Sequence, residues 1–234
     1  FWGYTFAGVW QEDDVNAPFV DANGQTNGKT NGEVYKVKPG NSKYVDVNKD
    51  GVYNDADQGI IGCGQPTFNW GWNNTFNYKN FDFSFFVVGF HGFDIYNATH
   101  QMGYNLIKSQ QMAGVTPMRE LLNRWTPTNT NTDIPGFVKG GTENKDFFST
   151  RFVENGSFIK MKSITLGYTL PEATCRSLGI NNLRVYASVQ NPFHITKYSG
   201  LDPEATMGSP LVQGVDWGAY PNSRNYLIGL NFSF

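Results

Sequence analysis

Apolar residues alternate with small or polar ones along several segments of the chain. In Asn225-Tyr-Leu-Ile-Gly-Leu-Asn-Phe-Ser-Phe234 the even positions Tyr226, Ile228, Leu230, Phe232 and Phe234 are apolar. The odd positions Asn225, Gly229, Asn231 and Ser233 are small or polar, with Leu227 the exception. A strand turns successive side chains to opposite faces, so this period predicts a strand with one greasy and one wet side. In Thr67–Tyr78, Phe68, Trp70, Trp72, Phe76 and Tyr78 share one parity against Thr67, Asn69, Gly71, Asn73, Thr75 and Asn77. Phe81–Phe90 follows after Lys79-Asn80, with Phe81, Phe83, Phe85 and Val87 opposite Asp82 and Ser84, which predicts a hairpin with a two-residue turn. Trp2, Tyr4, Phe6 and Trp10 form a further one-parity row, as do Leu183, Val185, Ala187 and Val189 opposite Arg184, Tyr186, Ser188 and Gln190.

Two architectures produce such alternation: a soluble β-sandwich that buries its apolar side, and a membrane barrel that turns it to lipid. The size of the apolar side chains favours the barrel, because rows of Phe, Trp and Tyr suit a lipid-facing band with aromatic girdles. Composition agrees. Aromatic residues make up 16% of the chain and charged residues also 16%, where soluble proteins carry about 25% charged residues. No run approaches the roughly 20 apolar residues of a spanning helix. The net charge of −2 offers no basic face for nucleic acid.

The connections alternate in length. Those at Trp10–Pro66, Gly92–Gly156 and Thr196–Arg224 are long, and those at Lys79-Asn80 and Pro171–Asn182 are short. In outer-membrane barrels long loops face outside and short turns face the periplasm. Loops 11–65, 93–155 and 197–223 are therefore expected outside, and the C-terminus in the periplasm. The expected fold is all-β: a transmembrane antiparallel β-barrel of which this chain supplies six strands or so. Six is too few to close a bacterial barrel, since these begin at about eight. Phe1-Trp2-Gly3 opens in mid-strand without a leader, so the chain is expected to be a piece of something longer.

Phe158–Leu170 breaks the pattern. Its apolar parity switches from Ile159 and Met161 to Ile164, Leu166, Tyr168 and Leu170. Either the upper half projects above the membrane or a bulge near Ser163 resets the register. Projection is the favoured expectation, because a lysine at the bilayer midplane costs about 2–4 kcal/mol and Lys160 and Lys162 lie in this segment.

The sharpest local motif is Asp46-Val-Asn-Lys-Asp-Gly-Val-Tyr-Asn-Asp-Ala-Asp57. Counting from Asp46, oxygen side chains fall at the first, third, fifth, ninth and twelfth places, and Gly51 takes the sixth. That is the spacing of a calcium loop, in which alternating oxygens converge on a hard cation and glycine permits the sharp turn. The candidate ligands are Asp46, Asn48, Asp50, the Val52 carbonyl, Asn54 and Asp57, with Asp57 where an EF-hand has glutamate. Calcium bound here is expected to be structural and weak. The competing reading is an Asx-rich turn whose side chains cap their own backbone.

Further motifs stand in order along the chain. Gly62-Cys-Gly-Gln-Pro66 follows the calcium-like loop, then Phe76-Asn-Tyr-Lys-Asn-Phe-Asp-Phe-Ser84 and Arg124-Trp-Thr-Pro-Thr-Asn-Thr-Asn-Thr-Asp-Ile-Pro135. Asn155-Gly-Ser-Phe-Ile-Lys-Met-Lys-Ser-Ile-Thr-Leu-Gly-Tyr-Thr-Leu-Pro171, Leu183-Arg-Val-Tyr-Ala-Ser-Val-Gln-Asn-Pro192 and Thr196-Lys-Tyr-Ser-Gly-Leu-Asp-Pro-Glu204 complete the series. Together they resemble the C-terminal third of SusC/RagA-type TonB-linked outer-membrane transporters of Bacteroidetes, over nearly the whole chain. A terminal aromatic such as Phe234 likewise resembles the last strand of bacterial outer-membrane barrels, where the assembly machinery reads it. The resemblance implies a 22-stranded barrel with a plugged lumen, a SusD-like surface lipoprotein as lid, and import of oligosaccharides or peptides powered through TonB. The family's plug domain, TonB box and signal peptide are absent from these residues. Asn80 stands where glycine is common and Pro192 where leucine is common.

Other chemistry is sparse. His91, His100 and His194 lack metal-binding spacing, Gly59–Gly64 is no dinucleotide fingerprint, and Cys63 and Cys175 are expected on opposite sides of the membrane. Thr116–Trp125 predicts a short helix with Thr116 as N-cap and Pro117 in the first turn. No nucleophile, base and orienter stand together, so an enzyme is not expected. A transport barrel, a passive porin and a secreted calcium-stabilised β-sandwich module remain as functional readings.

Overall fold

The computed structural model describes residues 1–104, 117–137, 147–177, 179–207 and 212–234. Two compact units account for the chain. One comprises Phe1–Cys63, Tyr96–Val153 and Asp216–Gly218; the other comprises Gly64–Ile95, Glu154–Val215 and Ala219–Phe234. No helix among the described residues is long and apolar enough to cross a membrane.

The second unit is built on one antiparallel sheet. Its strands are β1 (Phe68–Tyr78), β2 (Phe81–His91), β3 (Phe158–Thr169), β4 (Asn182–Gln190), β5 (His194–Thr196) and β6 (Asn225–Ser233). Their order is β6-β4-β3-β2-β1, with β5 also paired to β3. The predicted hairpin forms through Lys79-Asn80, where Lys79 adopts φ 53° and Asn80 Nδ2 donates to Thr169 O at 2.8 Å. Register carries the alternation across the whole sheet. Tyr78, Phe81, Tyr168, Val185 and Leu230 align on one face, and Phe76, Phe83, Leu166, Ala187 and Ile228 form the next row. The opposite face carries Asn77, Asp82, Gly167, Tyr186 and Gly229, then Thr75, Ser84, Thr165, Ser188 and Leu227.

The apolar face is exposed. Phe76 is 54% exposed, Leu166 51% and Ile228 83%, and Trp72, Phe81, Leu230 and Phe232 are exposed as well. A sandwich buries this face, gaining about 1.5–3 kcal/mol for each large side chain. A sheet that instead presents a continuous aromatic and aliphatic surface is matched to hydrocarbon rather than water.

The parity switch in β3 is a bulge. Met161 pairs with Val87 and Ser163 with Phe86, leaving Lys162 as the extra residue. On the other side of β3, Asn191-Pro192-Phe193 interrupts the run from β4 into β5. There Asn191 N donates to Lys162 O at 2.9 Å and Met161 N to Phe193 O at 3.1 Å, with Asn191 at φ 49°. Projection of the upper half is thus not what resolves the conflict. One added residue exchanges the faces beyond it, so Ile159 and Met161 stay on the apolar side while Phe158 and Lys160 turn to the polar side.

There they are covered. Phe158 is 1% and Lys160 2% exposed. Phe158 packs with Phe93, Ile95 and Tyr198 in the core of this unit, with Phe90 against it. The Lys160 ammonium sits 2.8 Å from Asp202 Oδ2 and 2.6 Å from Glu204 Oε2, and Lys162 pairs with the other Glu204 oxygen.

The first unit departs from expectation at its start. Trp2–Tyr4 pairs with Gln58–Ile60, and Phe6–Val9 with Ser42–Tyr44, so the Trp2–Trp10 row does not join the large sheet within this chain. The pairing shifts between Phe6 and Gly8, which adopts φ 111°, and Tyr4, Val9 and Trp10 are all buried. Tyr4 stacks on Phe147 at 4.4 Å, an aromatic packing that alternation alone does not distinguish from a lipid-facing row. The Thr116 cap lies outside the described residues; a short 3-10 turn runs over Arg119–Asn123.

Deleting Lys162 removes the bulge and swings Lys160 to the apolar face. The expected outcome is loss of the heat-modifiable folded band of the full-length protein in detergent electrophoresis, whereas Lys162→Gly, which keeps the register, retains it.

Candidate functional site

The candidate calcium loop lies in the first unit, between Tyr44 and the short strand Gln58–Ile60. Gly51 adopts φ 82°, and a Cβ there would meet Val34 Cγ1 at 2.2 Å, so glycine is required on two counts. Asp50 is the hub. Its Oδ1 accepts from Val52 N at 2.8 Å, and its Oδ2 accepts from the amides of Asn48 at 2.9 Å and Asn54 at 3.1 Å. Those two hydrogen bonds and that from Val52 N hold its carboxyl below the ordinary range. Asn54 Nδ2 also reaches Val52 O at 3.2 Å. Asp57, 2% exposed, accepts from Val47 N at 2.8 Å and Asn54 N at 3.0 Å, closing a capping box over Asp55–Asp57.

Asp46 Oδ2 accepts from Gly51 N and from the Tyr35 hydroxyl, each at 2.8 Å. Burial and the hydrogen bond to Asp46 push the Tyr35 hydroxyl far up, so it stays a donor at neutral pH. Asp46 Oδ1 is buried and has no hydrogen-bond partner. Hydrogen bonds therefore link Asn48, Asp50, Val52 and Asn54 directly, and join Asp46 and Asp57 to them through the backbone of Gly51 and Asn54. Asn48, Asp50 and Asn54 each also accept from the backbone N–H two residues on, which are the Asx turns of the competing reading. Among the described residues no three His, Cys, Asp or Glu side chains come together as a metal-binding group. The carboxylates of Asp46, Asp50 and Asp57 thus do not gather on one centre; each accepts from N–H groups of the loop itself. Gly51 and Val52 form part of the wall of a cavity of about 340 Å³ that Tyr35, Tyr44, Tyr53 and Phe147 also line.

In the second unit the polar face of the sheet carries two groups of paired charges, the Lys160 cluster and a half-buried pair: Arg184 Nε and Nη2 donate to the two Asp82 oxygens at 2.9 and 2.5 Å. The pair crosses β3 at Gly167, where a Cβ would come within 2.4 Å of Asp82 Oδ1. Arg184 lies over the Tyr186 ring at 4.9 Å, and that ring in turn lies over Gly229. Glycine on one strand thus makes room for a side chain from its neighbour. In the sequence Lys160 and Lys162 are misfits and Asp202-Pro-Glu204 lies within a distant motif. Nothing local joins them; two lysines without a solvent-facing register are the signal that carboxylates must meet them. His91 stacks on Phe68, and His194 pairs with Lys160 across the sheet.

No family model matches the chain. Curated relatives do. The chain is 34% identical over 240 residues to TonB-dependent receptor P3 of Formosa agariphila, an alignment that covers all of this chain and 22% of the receptor. It is 32% identical over 199 residues to TonB-dependent receptor SusC of Bacteroides thetaiotaomicron, covering 84% of this chain and 18% of SusC. Among solved structures, the RagAB peptide transporter superposes with a TM-score of 0.72 at 24% identity, over all of this chain and 22% of that one. The RagAB peptide importer in its closed-closed state superposes at 0.70 with 25% identity, over all of this chain and 23% of that one. The chain spans about a fifth of the length of these relatives. The exposed apolar face, the antiparallel register and these relatives agree: the chain belongs to the SusC/RagA-type TonB-dependent transporters of the bacterial outer membrane, as part of their β-barrel.

Proposed function

We propose that this chain is a stretch of barrel wall in an active importer of oligosaccharides or peptides, working with a SusD-like lipoprotein lid and energised through TonB. The observation that carries the reading is the two-faced sheet. Its apolar rows meet lipid, and its rows of Asn, Thr, Ser and Gly face a passage through which a hydrophilic cargo can move without meeting fixed, unpaired charge. The importer reading is preferred to a passive porin because the relatives are TonB-dependent receptors by name. One solved relative is named as a peptide transporter. Each outer strand of the sheet, β1 and β6, has one ladder edge that no described strand pairs. Unsatisfied backbone groups in hydrocarbon cost several kcal/mol each, so both edges are expected to pair with further strands of the same barrel.

Loops 11–65, 93–155 and 197–223 belong on the outer side in this reading, where a lid lipoprotein meets some of them, and Lys79-Asn80 belongs in the periplasm. Single cysteines at Asn131 and Asn80, labelled on intact cells with a membrane-impermeant reagent, test it. Asn131→Cys is expected to react and Asn80→Cys to stay protected; the reverse result overturns the orientation and the importer reading with it.

The loop from Asp46 to Asp57 is proposed to take calcium as a structural ion. Its support is the ligand spacing together with the unpartnered buried Asp46 Oδ1. The Asn48 and Asn54 amides, which turn N–H toward Asp50, would need to turn their oxygens inward when the ion binds. Titration of the full-length protein is expected to give a dissociation constant of about 10⁻⁴–10⁻³ M. Asp50→Ala is expected to weaken it at least tenfold and to loosen the Tyr35–Tyr53 stack, read by tyrosine fluorescence, while barrel insertion is kept. Absence of any calcium-dependent signal in the unaltered protein rules the ion out.

A further inference from the structure

The polar face of the sheet is covered over β2 and β3 but not over β1. Gly71, Val88 and Lys160 share one row, and Asn69, Phe90 and Phe158 the next; Gly71 and Asn69 are exposed, whereas Phe158 and Lys160, which the bulge turns to this face, are almost wholly buried. Phe93 and Ile95 pack on Phe158, and the rest of the cover is the chain that follows β5, which is tied down at successive points. Thr196 Oγ1 donates to Ser157 O at 3.0 Å. The Tyr198 ring is buried in the core with Phe158. Ser199 N and Oγ each donate to the Glu154 carboxylate at 2.8 Å. Asp202 and Glu204 then close on Lys160 and Lys162.

The return of the chain meets the same cluster. Asn222 donates from its backbone N–H at 3.1 Å and its side-chain amide at 3.0 Å to Asp202 Oδ2, and from that amide to Glu204 Oε2 at 3.0 Å. Three residues later β6 begins at Asn225. The two lysines and two carboxylates balance in charge, and because the Lys160 and Asp202 side chains are each 3% exposed, removing either strands the other out of water. Ordinary surface loops are held by far less and open readily.

We propose that Tyr198–Met207 and Asn222 form a strap latched to the inner face of the barrel wall by the Lys160–Asp202–Glu204–Lys162 cluster. The strap is then a fixed part of the passage, not a loop that swings aside to admit cargo. Lys160 acts as a positioning residue: it sets where the strap lies and touches no cargo itself. Only the term "passage" rests on the importer reading; the latch does not.

Hydrogen exchange on the full-length protein in detergent micelles or nanodiscs tests the latch without any substrate. Amides of Ser199–Met207 are expected to exchange at least 100-fold slower than in an unstructured peptide. Lys160→Met is expected to lower that protection at least tenfold while peptides of the β1–β2 hairpin are unchanged, and the swapped pair Lys160→Asp with Asp202→Lys restores part of it. Should Lys160→Met fail to assemble, Glu204→Gln, which neutralises one carboxylate, is expected to give a smaller loss confined to the same peptides. Unprotected strap amides in the unaltered protein, or protection indifferent to these substitutions, overturn the proposal.

A second arm links Ser199→Cys to Glu154→Cys with a short bismaleimide. A fixed strap leaves uptake in cells within twofold after linking, whereas abolition of uptake by the link shows that the strap must move and overturns the proposal. Lack of uptake before linking counts against the importer reading alone, and the exchange arm then decides the latch by itself.

Discussion

Inside a hydrocarbon layer a backbone N–H or C=O has no water to pair with, and every one left open costs several kcal/mol. An antiparallel ladder that continues from strand to strand meets that demand, and it leaves the side chains only two directions. The large sheet of this chain follows from this constraint. From Asn77 across to Gly229 the ladder is unbroken through five strands. The face opposite that row presents aromatic and aliphatic side chains in numbers a water-facing sheet does not carry. Room on the polar face is limited where side chains lean across from neighbouring strands, and the glycines at positions 167 and 229 relieve the crowding beneath the Asp82–Arg184 pair and the Tyr186 ring.

The bulge at Lys162 is the point where this regularity is broken to a purpose. An added residue costs a local interruption of the ladder, and the Asn191–Phe193 segment takes up the freed Lys162 carbonyl and Met161 N–H. In exchange, a lysine that would face lipid is turned to the interior. Once there it is out of water, and it is tolerable only because Asp202 and Glu204 arrive to meet it, with Asn222 donating to both carboxylates. Burial raises the Asp202 carboxyl, but the hydrogen bonds from Lys160 and Asn222 outweigh it and hold the group ionised below the usual carboxylate range. Register, charge and the course of the following loop are thus one device.

Much of the sheet was legible in the sequence because its period is short and local. The hairpin around Lys79-Asn80 and the strands at Phe158, Leu183 and Asn225 all come from counting parity. The Trp2–Trp10 row misled because parity reports that a strand has an apolar side, not what lies against it; here Tyr4 meets Phe147, more than a hundred residues away. For Phe158–Leu170 the sequence is compatible with projection or with a bulge, and the cost of a lysine in lipid does not choose between them; the register shows the bulge. A bulge is selected by long-range partners, here a loop some forty residues on, and these leave no local period. The Asp46–Asp57 loop was legible as a motif, and its hydrogen bonds follow the Asx geometry its composition allows. Its ion is a separate question, since the same oxygens serve either purpose.

The two-faced sheet is the central claim, and depth-resolved spin labelling tests it most directly. Single labels at each position from Tyr226 to Phe232 of the full-length protein in liposomes would be read for collision with oxygen, which concentrates in lipid, and with a water-soluble nickel chelate. Labels at Tyr226, Ile228, Leu230 and Phe232 are expected to favour oxygen, and those at Leu227, Gly229 and Asn231 the chelate or neither, giving a period of two. A uniform profile along the strand, or the opposite parity, would contradict the membrane-spanning barrel wall described here.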